Sequence, residues 1–431
     1  MVRVIIFLLL AGNMSLVFAQ DTVSFMHYNL LNYRNTTNQC TNSTNNPETK
    51  EDHLETIVSY VKPDILTINE MGANWLNPNK LLTNSLNKNG VSHYDQAEFA
   101  NNSFSSLTNM LFFNSDKLEM YDQVALIKDV NNQEMVRVID VYTLYVKNGA
   151  LLTGDTTFLT VFVAHLKAGS TSTDKDKRQE MAKAAMEYLK DNHKSHSYFF
   201  AGDFNIRTHS EACYQTITKN SATTIRFYDP KDAPGSWNNS STYSNLHTQS
   251  THDGDSRGGC FSTGGMDDRF DFILCGKEVI DGTYGVQYVD GSYTALGQDS
   301  RRFNGNIKYP ASNIIPASVQ NALYEMSDHL PVLMNVSVKD NSVSVTKMLA
   351  KSKIVVSHLH DGTLKVHLPI GNTYTELRVI DMGGKIVRQK VNLTGNKWQV
   401  ATAGLPNGLY LINAITSTGE VYTHKVGIQS N

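Results

Sequence analysis

Six polar residues stand at the ends of short apolar runs, where a folded chain would present them along the edge of a sheet. They are Glu70, His165, Asp203, Asn205, Asp328 and His329. Carboxylates and amides can ligate a metal ion or bind phosphate, and an imidazole can transfer a proton. Taken one at a time, such residues are more often helix caps, turn residues or structural hydrogen-bonding groups. Only their occurrence as a set therefore suggests a chemical role.

The apolar runs beside these residues predict the elements that would position them. Helices are expected at 52–61, which ends before Pro63, and at 175–192, where Met181, Ala185 and Leu189 share one face. Strands are expected at 23–29, 64–68, 158–164, 197–201, 270–275 and 330–338. This mixture of strands and helices predicts a layered α/β sandwich.

The first 19 residues predict a secretory signal peptide. Arg3 supplies the positive charge, residues 4–10 form an apolar core, and residues 17–19 give a small-x-small ending. The alternative, a membrane anchor, is disfavoured because Gly12 and Asn13 interrupt the apolar run well short of about 20 residues. We therefore expect an exported protein with no integral membrane span.

The chain changes character near residue 340. A polar linker is expected at 339–349, and residues 350–431 show short alternating runs between Gly and Asn turns, which predicts a small β-sandwich. The phrases LRVIDMGGKIV, GLPNGLYLINA and HKVGIQ resemble the C-terminal sorting domain of type IX secretion cargo. The resemblance implies handling by that machinery and outer-membrane export in a Bacteroidetes-type bacterium. A generic β-sandwich accessory module is the alternative.

Six motifs between the two ends carry a second resemblance. YNLLN, DILTINEM, VFVAHLKAG, FFAGDFN, DDRFDFIL and SDHLPV occur in the order seen in the endonuclease/exonuclease/phosphatase superfamily, which has the deoxyribonuclease I-like fold. The similarity covers about residues 22–338. It implies an α/β (α+β) four-layer sandwich as the catalytic domain, at 20–338, followed by the small C-terminal β-sandwich.

The resemblance also implies a metal site. It makes Glu70 the main metal ligand, with Asn29 and Asp328 as neighbours that complete or orient the shell. Oxygen ligands of this kind suit Mg²⁺, with Mn²⁺ as the alternative.

The same resemblance assigns catalytic roles. Asp203 resembles the acid beside the attacking water, and Asn205 the amide that hydrogen-bonds the phosphate. His329 resembles the active-site histidine, as general base or electrostatic stabiliser, with Asp271 as the carboxylate that orients it. His165 is expected to contact the scissile phosphate or the leaving oxygen.

Composition sets limits on function without naming a substrate. The 431 residues include 38 basic and 41 acidic residues, for a net charge of −3, so the whole chain has no strongly basic nucleic-acid footprint. The loops at 35–50 and 247–265 lack the Trp/Phe cluster of a membrane-inserting hairpin, which weighs against a lipid substrate. The four cysteines match no CxxC metal site, and their pairing cannot be read.

We therefore predict a secreted metal-dependent phosphodiester hydrolase, first of all a nuclease that acts on DNA or RNA by metal-assisted attack of water on phosphorus. The alternatives are a phosphatase or a sphingomyelinase-like phospholipase of the same superfamily, and then a non-catalytic binding module. The substrate, endo or exo cleavage, the number of metal ions and the oligomeric state stay open, and no obligate protein partner is evident.

Overall fold

The computed structural model describes residues 21–37, 39–101, 104–148, 156–219, 225–339, 354–359, 363–368, 372–393 and 395–428. The predicted signal peptide, and the predicted linker beyond residue 339, lie outside the described residues. None of the helices in the described ranges is both long and apolar enough to cross a membrane.

The described residues between 21 and 338 form two β-sheets that pack face to face, with helices on both outer faces. The strands are β1 (Asp21–Tyr33), β2 (Ile65–Gly72), β3 (Tyr94–Gln96), β4 (Leu107–Asn114), β5 (Leu118–Lys128), β6 (Glu134–Val146), β7 (Phe158–His165), β8 (Ser197–Asp203), β9 (Phe227–Tyr228), β10 (Asp271–Gly276), β11 (Val286–Tyr288), β12 (Thr294–Ala295) and β13 (Val332–Val338). The first sheet has the order β11-β13-β1-β2-β4-β3, with β12 also paired to β13, and the second has the order β5-β6-β7-β8-β10-β9.

The helices complete a four-layer sandwich. They are α1 (Pro47–Val61), α2 (Asn77–Leu81), α3 (Ser172–Asp191), α4 (Ala212–Thr218), α5 (Lys277–Asp281) and α6 (Ala317–Met326). Helices α1 and α6 pack on the first sheet and share its apolar core, which also fills the space between the sheets. Helices α3 and α4 pack on the second sheet over a separate core. The predicted layered α/β fold is confirmed.

Local sequence signals set the ends of the two long helices. The Asn46 side chain accepts a hydrogen bond from the Thr49 N–H, and α1 stops at Lys62, which is left-handed and precedes Pro63. Thr171 and Asp174 form a reciprocal capping box at the start of α3. Both helices therefore begin several residues earlier than the apolar periodicity alone predicts.

The C-terminal part is a β-sandwich, as predicted. Its strands are β14 (Val355–Leu359), β15 (Thr363–His367), β16 (Tyr374–Asp381), β17 (Ile386–Val391), β18 (Lys397–Ala401), β19 (Gly408–Thr416) and β20 (Val421–Ile428). They form a three-stranded sheet, β14-β15-β18, and a four-stranded sheet, β17-β16-β19-β20, around one apolar core. This domain contacts the first through the buried Glu119, whose carboxylate lies 2.5 Å from Lys397 Nζ.

Candidate active site

Three neighbouring strands of the second sheet place one functional residue each in a single row. His165 ends β7 and is directly opposite Asp203 on the parallel strand β8. Asp271 begins β10 and is opposite Asp203 on its other side. Because directly paired residues point to the same face of a sheet, the three side chains lie together at one edge of the sandwich.

The first sheet brings Asn29 and Glu70 to the same edge. Strand β1 bulges after Asn29, and Leu31 and Asn32 adopt left-handed backbone angles, φ 44° and 50°. This turn directs the Asn32 N–H to Glu70 Oε2 at 3.0 Å. The buried Lys50 supports the bulge from α1 by donating to the Leu31 carbonyl at 2.8 Å.

Glu70, His165 and Asp203 form a group that could hold a metal ion, because one ligand atom from each lies within 4.8 Å of the others. Asn29 Nδ2 donates to Glu70 Oε1 at 3.2 Å and to Asp203 Oδ2 at 3.0 Å, so it fixes both carboxylates. The chemistry of this donor set fits a divalent cation, because two close carboxylates repel each other without one. His165 Nδ1 and Asp328 Oδ1 are buried atoms without a hydrogen-bond partner in the described ranges.

Asp271 fixes the orientation of His329. The His329 Nδ1 nitrogen donates to Asp271 Oδ2 at 2.7 Å, and both side chains are buried. A carboxylate in this position selects the ring tautomer and stabilises the imidazolium. The other ring nitrogen, Nε2, faces Asp203 Oδ2 at 3.8 Å.

The loop at 247–265 supplies the hydrogen bonds that hold the Asp328 carboxylate. Its Oδ2 accepts hydrogen bonds from the Ser262 N–H at 2.9 Å and from Gln249 Nε2 at 3.2 Å. The same Gln249 side-chain nitrogen lies 2.7 Å from His329 Nε2. The neighbouring Ser327 hydroxyl donates to the Asn29 carbonyl at 2.7 Å, which ties this segment to β1.

A cavity of about 370 Å³ opens over these groups. Six of the eight predicted site residues line it, and they are the six at the strand ends. Asn29 and Asp271 lie behind that wall, where they orient Glu70, Asp203 and His329. Two arginines join the wall: Arg137 donates to the His165 and Leu166 carbonyls, and Arg207 is exposed.

The surroundings of His165 and His329 shift the pKa values of the two rings in opposite directions. Burial, and then the nearby Arg137 cation, lower the pKa of His165 well below its ordinary value. Burial also opposes charge on His329, but the carboxylates of Asp271, Asp203 and Asp328 outweigh it and raise its pKa well above the ordinary value. Burial raises the pKa of Asp203 as well.

A disulfide between Cys40 and Cys260 joins the two long loops beside the cavity, and Cys213 and Cys275 are free. Leu31 and Phe261 pack around it in a small apolar cluster. The bond therefore links the loop that follows the β1 bulge to the loop that supplies the Ser262 N–H.

Sequence reasoning missed three groups at this site. Arg137 lies inside β6 on the same face as the buried Met135 and Ile139, and only its polar type at this position marks it. Gln249 and Ser262 lie in a loop with no motif, and their approach to Asp328 depends on tertiary contacts.

Comparison with known proteins identifies the family of the chain. A model of the Endonuclease/Exonuclease/phosphatase family matches residues 26–329. The chain belongs to the endonuclease/exonuclease/phosphatase family. This family consists of phosphoester hydrolases, so the coarse reaction class follows. A second model, described as a secretion system C-terminal sorting domain, matches residues 360–429 and indicates type IX secretion, to the cell surface or beyond it.

Three solved structures illustrate the similarity in fold. An endonuclease/exonuclease/phosphatase family protein from Bacteroides thetaiotaomicron is 14% identical, with TM-score 0.46 over 74% of this chain and 96% of that one. The human Nocturnin catalytic domain with bound sulfate is 14% identical, with TM-score 0.45 over 74% and 98%. A mannosyl-6-phosphatase from Bacteroides thetaiotaomicron is 14% identical, with TM-score 0.43 over 73% and 99%. No curated protein sequence matches the chain.

Proposed function

We propose that this family member is a secreted, metal-dependent phosphodiester hydrolase, and that its substrate is nucleic acid. The observation that carries the proposal is the pairing of two unlike sets of groups across one cavity. On one side, Glu70, His165 and Asp203 form a cation-binding set. On the other side, His329 is locked to Asp271 at 2.7 Å and faces the same carboxylate, Asp203.

Glu70 and Asp203, with His165 beside them, are the residues that would hold the ion, and the carboxylate of Asp328 lies close enough to orient that shell. A divalent cation at this position would supply charge neutralisation to the phosphoryl group and the leaving oxygen. Oxygen-rich coordination favours Mg²⁺, and the presence of His165 makes Mn²⁺ the alternative to test.

The side chains of the chain itself account for the rest of the chemistry. Asp203 accepts a proton from the attacking water. His329 stays cationic because Asp271, Asp203 and Asp328 surround it, so it stabilises negative charge on a phosphoryl oxygen. The Asn205 amide and the Arg137 guanidinium donate to the other phosphoryl oxygens.

The two ends of the chain are proposed to serve delivery. Residues 1–19 act as the signal peptide that crosses the inner membrane, and the sorting domain within 350–431 then directs outer-membrane export. Residues 20–338 carry the catalysis.

The proposal is tested by hydrolysis with the purified mature chain, residues 20–431, in Mg²⁺, Mn²⁺ or EDTA. The substrate panel is plasmid DNA, RNA, bis-nitrophenyl phosphate and sphingomyelin, with His329→Ala as the inactive control. We expect metal-dependent cleavage of nucleic acid that the control lacks. Cleavage of sphingomyelin or of the small ester alone would contradict a nuclease and would favour a phospholipase or phosphatase.

A further inference from the structure

Two aromatic rings stand exposed near the cavity. The Trp75 and Phe104 side chains are each 72% exposed, whereas the chain's second tryptophan, Trp237, is fully buried. Single exposed apolar residues are common on protein surfaces, but large aromatic rings beside a polar cavity are enriched at binding surfaces.

The two rings lie in loops next to strands that contribute residues to the cavity wall. Strand β2 carries Glu70 and ends at Gly72, which pairs with Leu107, a residue of the cavity wall. The loop after β2 and the loop before β4 are joined by a hydrogen bond from the Ala73 N–H to the Ser106 carbonyl at 2.9 Å. Phe104 is three residues from Leu107 and Trp75 is five from Glu70, which limits the Cα separations to about 11 and 18 Å.

The surroundings of the rings favour nucleic acid over a membrane. Trp75 lies between Asn74 and Leu76, which is also exposed, and Phe104 is followed by Ser105; no lysine or arginine lies within three residues of either ring. A membrane-inserting surface needs a continuous apolar face with basic residues beside it. Here the cations, Arg137 and Arg207, line the phosphate cavity instead.

We propose that Trp75 and Phe104 stack on unpaired bases next to the scissile phosphate, so that the preferred substrate is single-stranded nucleic acid. The inference rests on the proposed hydrolase function and adds to it the class of polymer. A base can stack on a protein ring only when one of its faces is free, and a duplex leaves no such face inside the helix. The exposed Asn74 amide beside Trp75 can hydrogen-bond an exposed base edge.

The test compares Trp75→Ala, Phe104→Ala and the double variant with the unmodified mature chain. Tyr60→Ala is the matched control, because Tyr60 is an exposed ring in the last turn of α1, and α1 leads into the start of β2, the end opposite Gly72. Substrates are a mixed-sequence single strand, its duplex, and a strand of stable abasic units with the same number of phosphodiesters. Stacking on one ring corresponds to about a 10-fold effect on binding.

We expect each ring variant to raise KM for the single strand about 10-fold with kcat unchanged, and to leave the abasic strand and Tyr60→Ala unaffected. A loss of equal size on the abasic strand would overturn the proposal, because the rings would then only support the cavity. A preference of the unmodified chain for the duplex would also overturn it.

A binding measurement separates this inference from the proposed function. In His329→Ala, an oligothymidylate should quench the fluorescence of Trp75, and Trp75→Ala in the same background should show no quenching. Quenching without hydrolysis by the active chain would support the stacking surface while refuting the nuclease. Absence of quenching, or a blue shift with phosphatidylcholine–sphingomyelin vesicles instead, would refute the stacking surface.

Discussion

His165 and His329 lie on two sides of the same carboxylate oxygen, Asp203 Oδ2, and their pKa values are shifted in opposite directions. Their Nε2 atoms lie 3.4 and 3.8 Å from Asp203 Oδ2. Both rings are buried, so desolvation acts against the charged form of each. The pKa of His165 is nevertheless lowered and that of His329 raised.

The groups behind the rings cause the difference. His329 has Asp271 at 2.7 Å behind its Nδ1 atom, whereas His165 Nδ1 has no hydrogen-bond partner among the described residues and lies near Arg137. The comparison shows that a protein carboxylate fixes His329, whereas Glu70, His165 and Asp203 form a group whose donor atoms a cation could bind. The raised pKa of His329 favours its charged form, while the lowered pKa of His165 favours a neutral ring that has a lone pair for an ion or a leaving group.

The largest expected effect comes from a substitution in the cation-binding set of Glu70, His165 and Asp203. Glu70→Ala removes the carboxylate at the centre of the cation-binding set and should abolish metal-dependent turnover, although the His329–Asp271 pair remains. Turnover is measured across a metal titration, with Glu48→Ala as control because Glu48 is an exposed glutamate of α1. Activity close to that of the unmodified chain at any metal concentration would refute the assignment of Glu70.

Disrupting the pair of His329 and Asp271 should have the next largest effect. Asp271→Asn removes the charge that stabilises the His329 imidazolium, so the pKa of His329 should fall and turnover should drop about 10²- to 10⁴-fold. Asp271 raises the pKa of His329, so its replacement should lower that pKa. The variant would then lose the cationic form of His329 at a lower pH, and the alkaline limb of the pH–rate profile should move to lower pH. An unchanged profile would show that Asp271 does not set the charge of His329. Asp140→Asn, at another buried carboxylate of the second sheet, is the control.

Removing the disulfide that joins the two loops beside the cavity should have a smaller effect on activity. Cys260→Ser breaks the link between the loop after the β1 bulge and the loop that holds Asp328, and we expect metal affinity to fall about 10-fold. The free energy of unfolding should also fall by about 2–5 kcal/mol. Cys40→Ser should match it, since both remove the same bond, and Cys213→Ser controls for loss of a thiol. Different metal affinities for Cys40→Ser and Cys260→Ser would contradict a shared mechanism.

Removal of residues 340–431 should have the smallest effect on catalysis. Every residue of the cavity wall lies between Leu31 and His329, so kcat and KM should stay within about 2-fold of those of the full chain. A folded truncated chain without hydrolytic activity would contradict this division of roles. Secretion by the native host, followed by immunodetection at the cell surface, should be lost in the same deletion.

The sequence allowed the strands next to the motifs to be predicted, because each is a short apolar run with a polar residue at its end. Strands β3 to β6 were not predicted, since residues 94–146 mix polar and apolar positions and their pairing is tertiary. The same limit explains Arg137 and Gln249, whose roles come from neighbours far away in the chain. The cysteine pairing was open for that reason too, because 220 residues separate Cys40 from Cys260.

The row formed by His165, Asp203 and Asp271 has a consequence for how the protein can vary. Side chains alternate between the two faces of a strand, so insertion of one residue within β8 would turn Asp203 toward the helices α3 and α4. Insertions in the loops that join β7, β8 and β10 leave the row intact. Length changes during divergence should therefore accumulate between these strands and be absent within them.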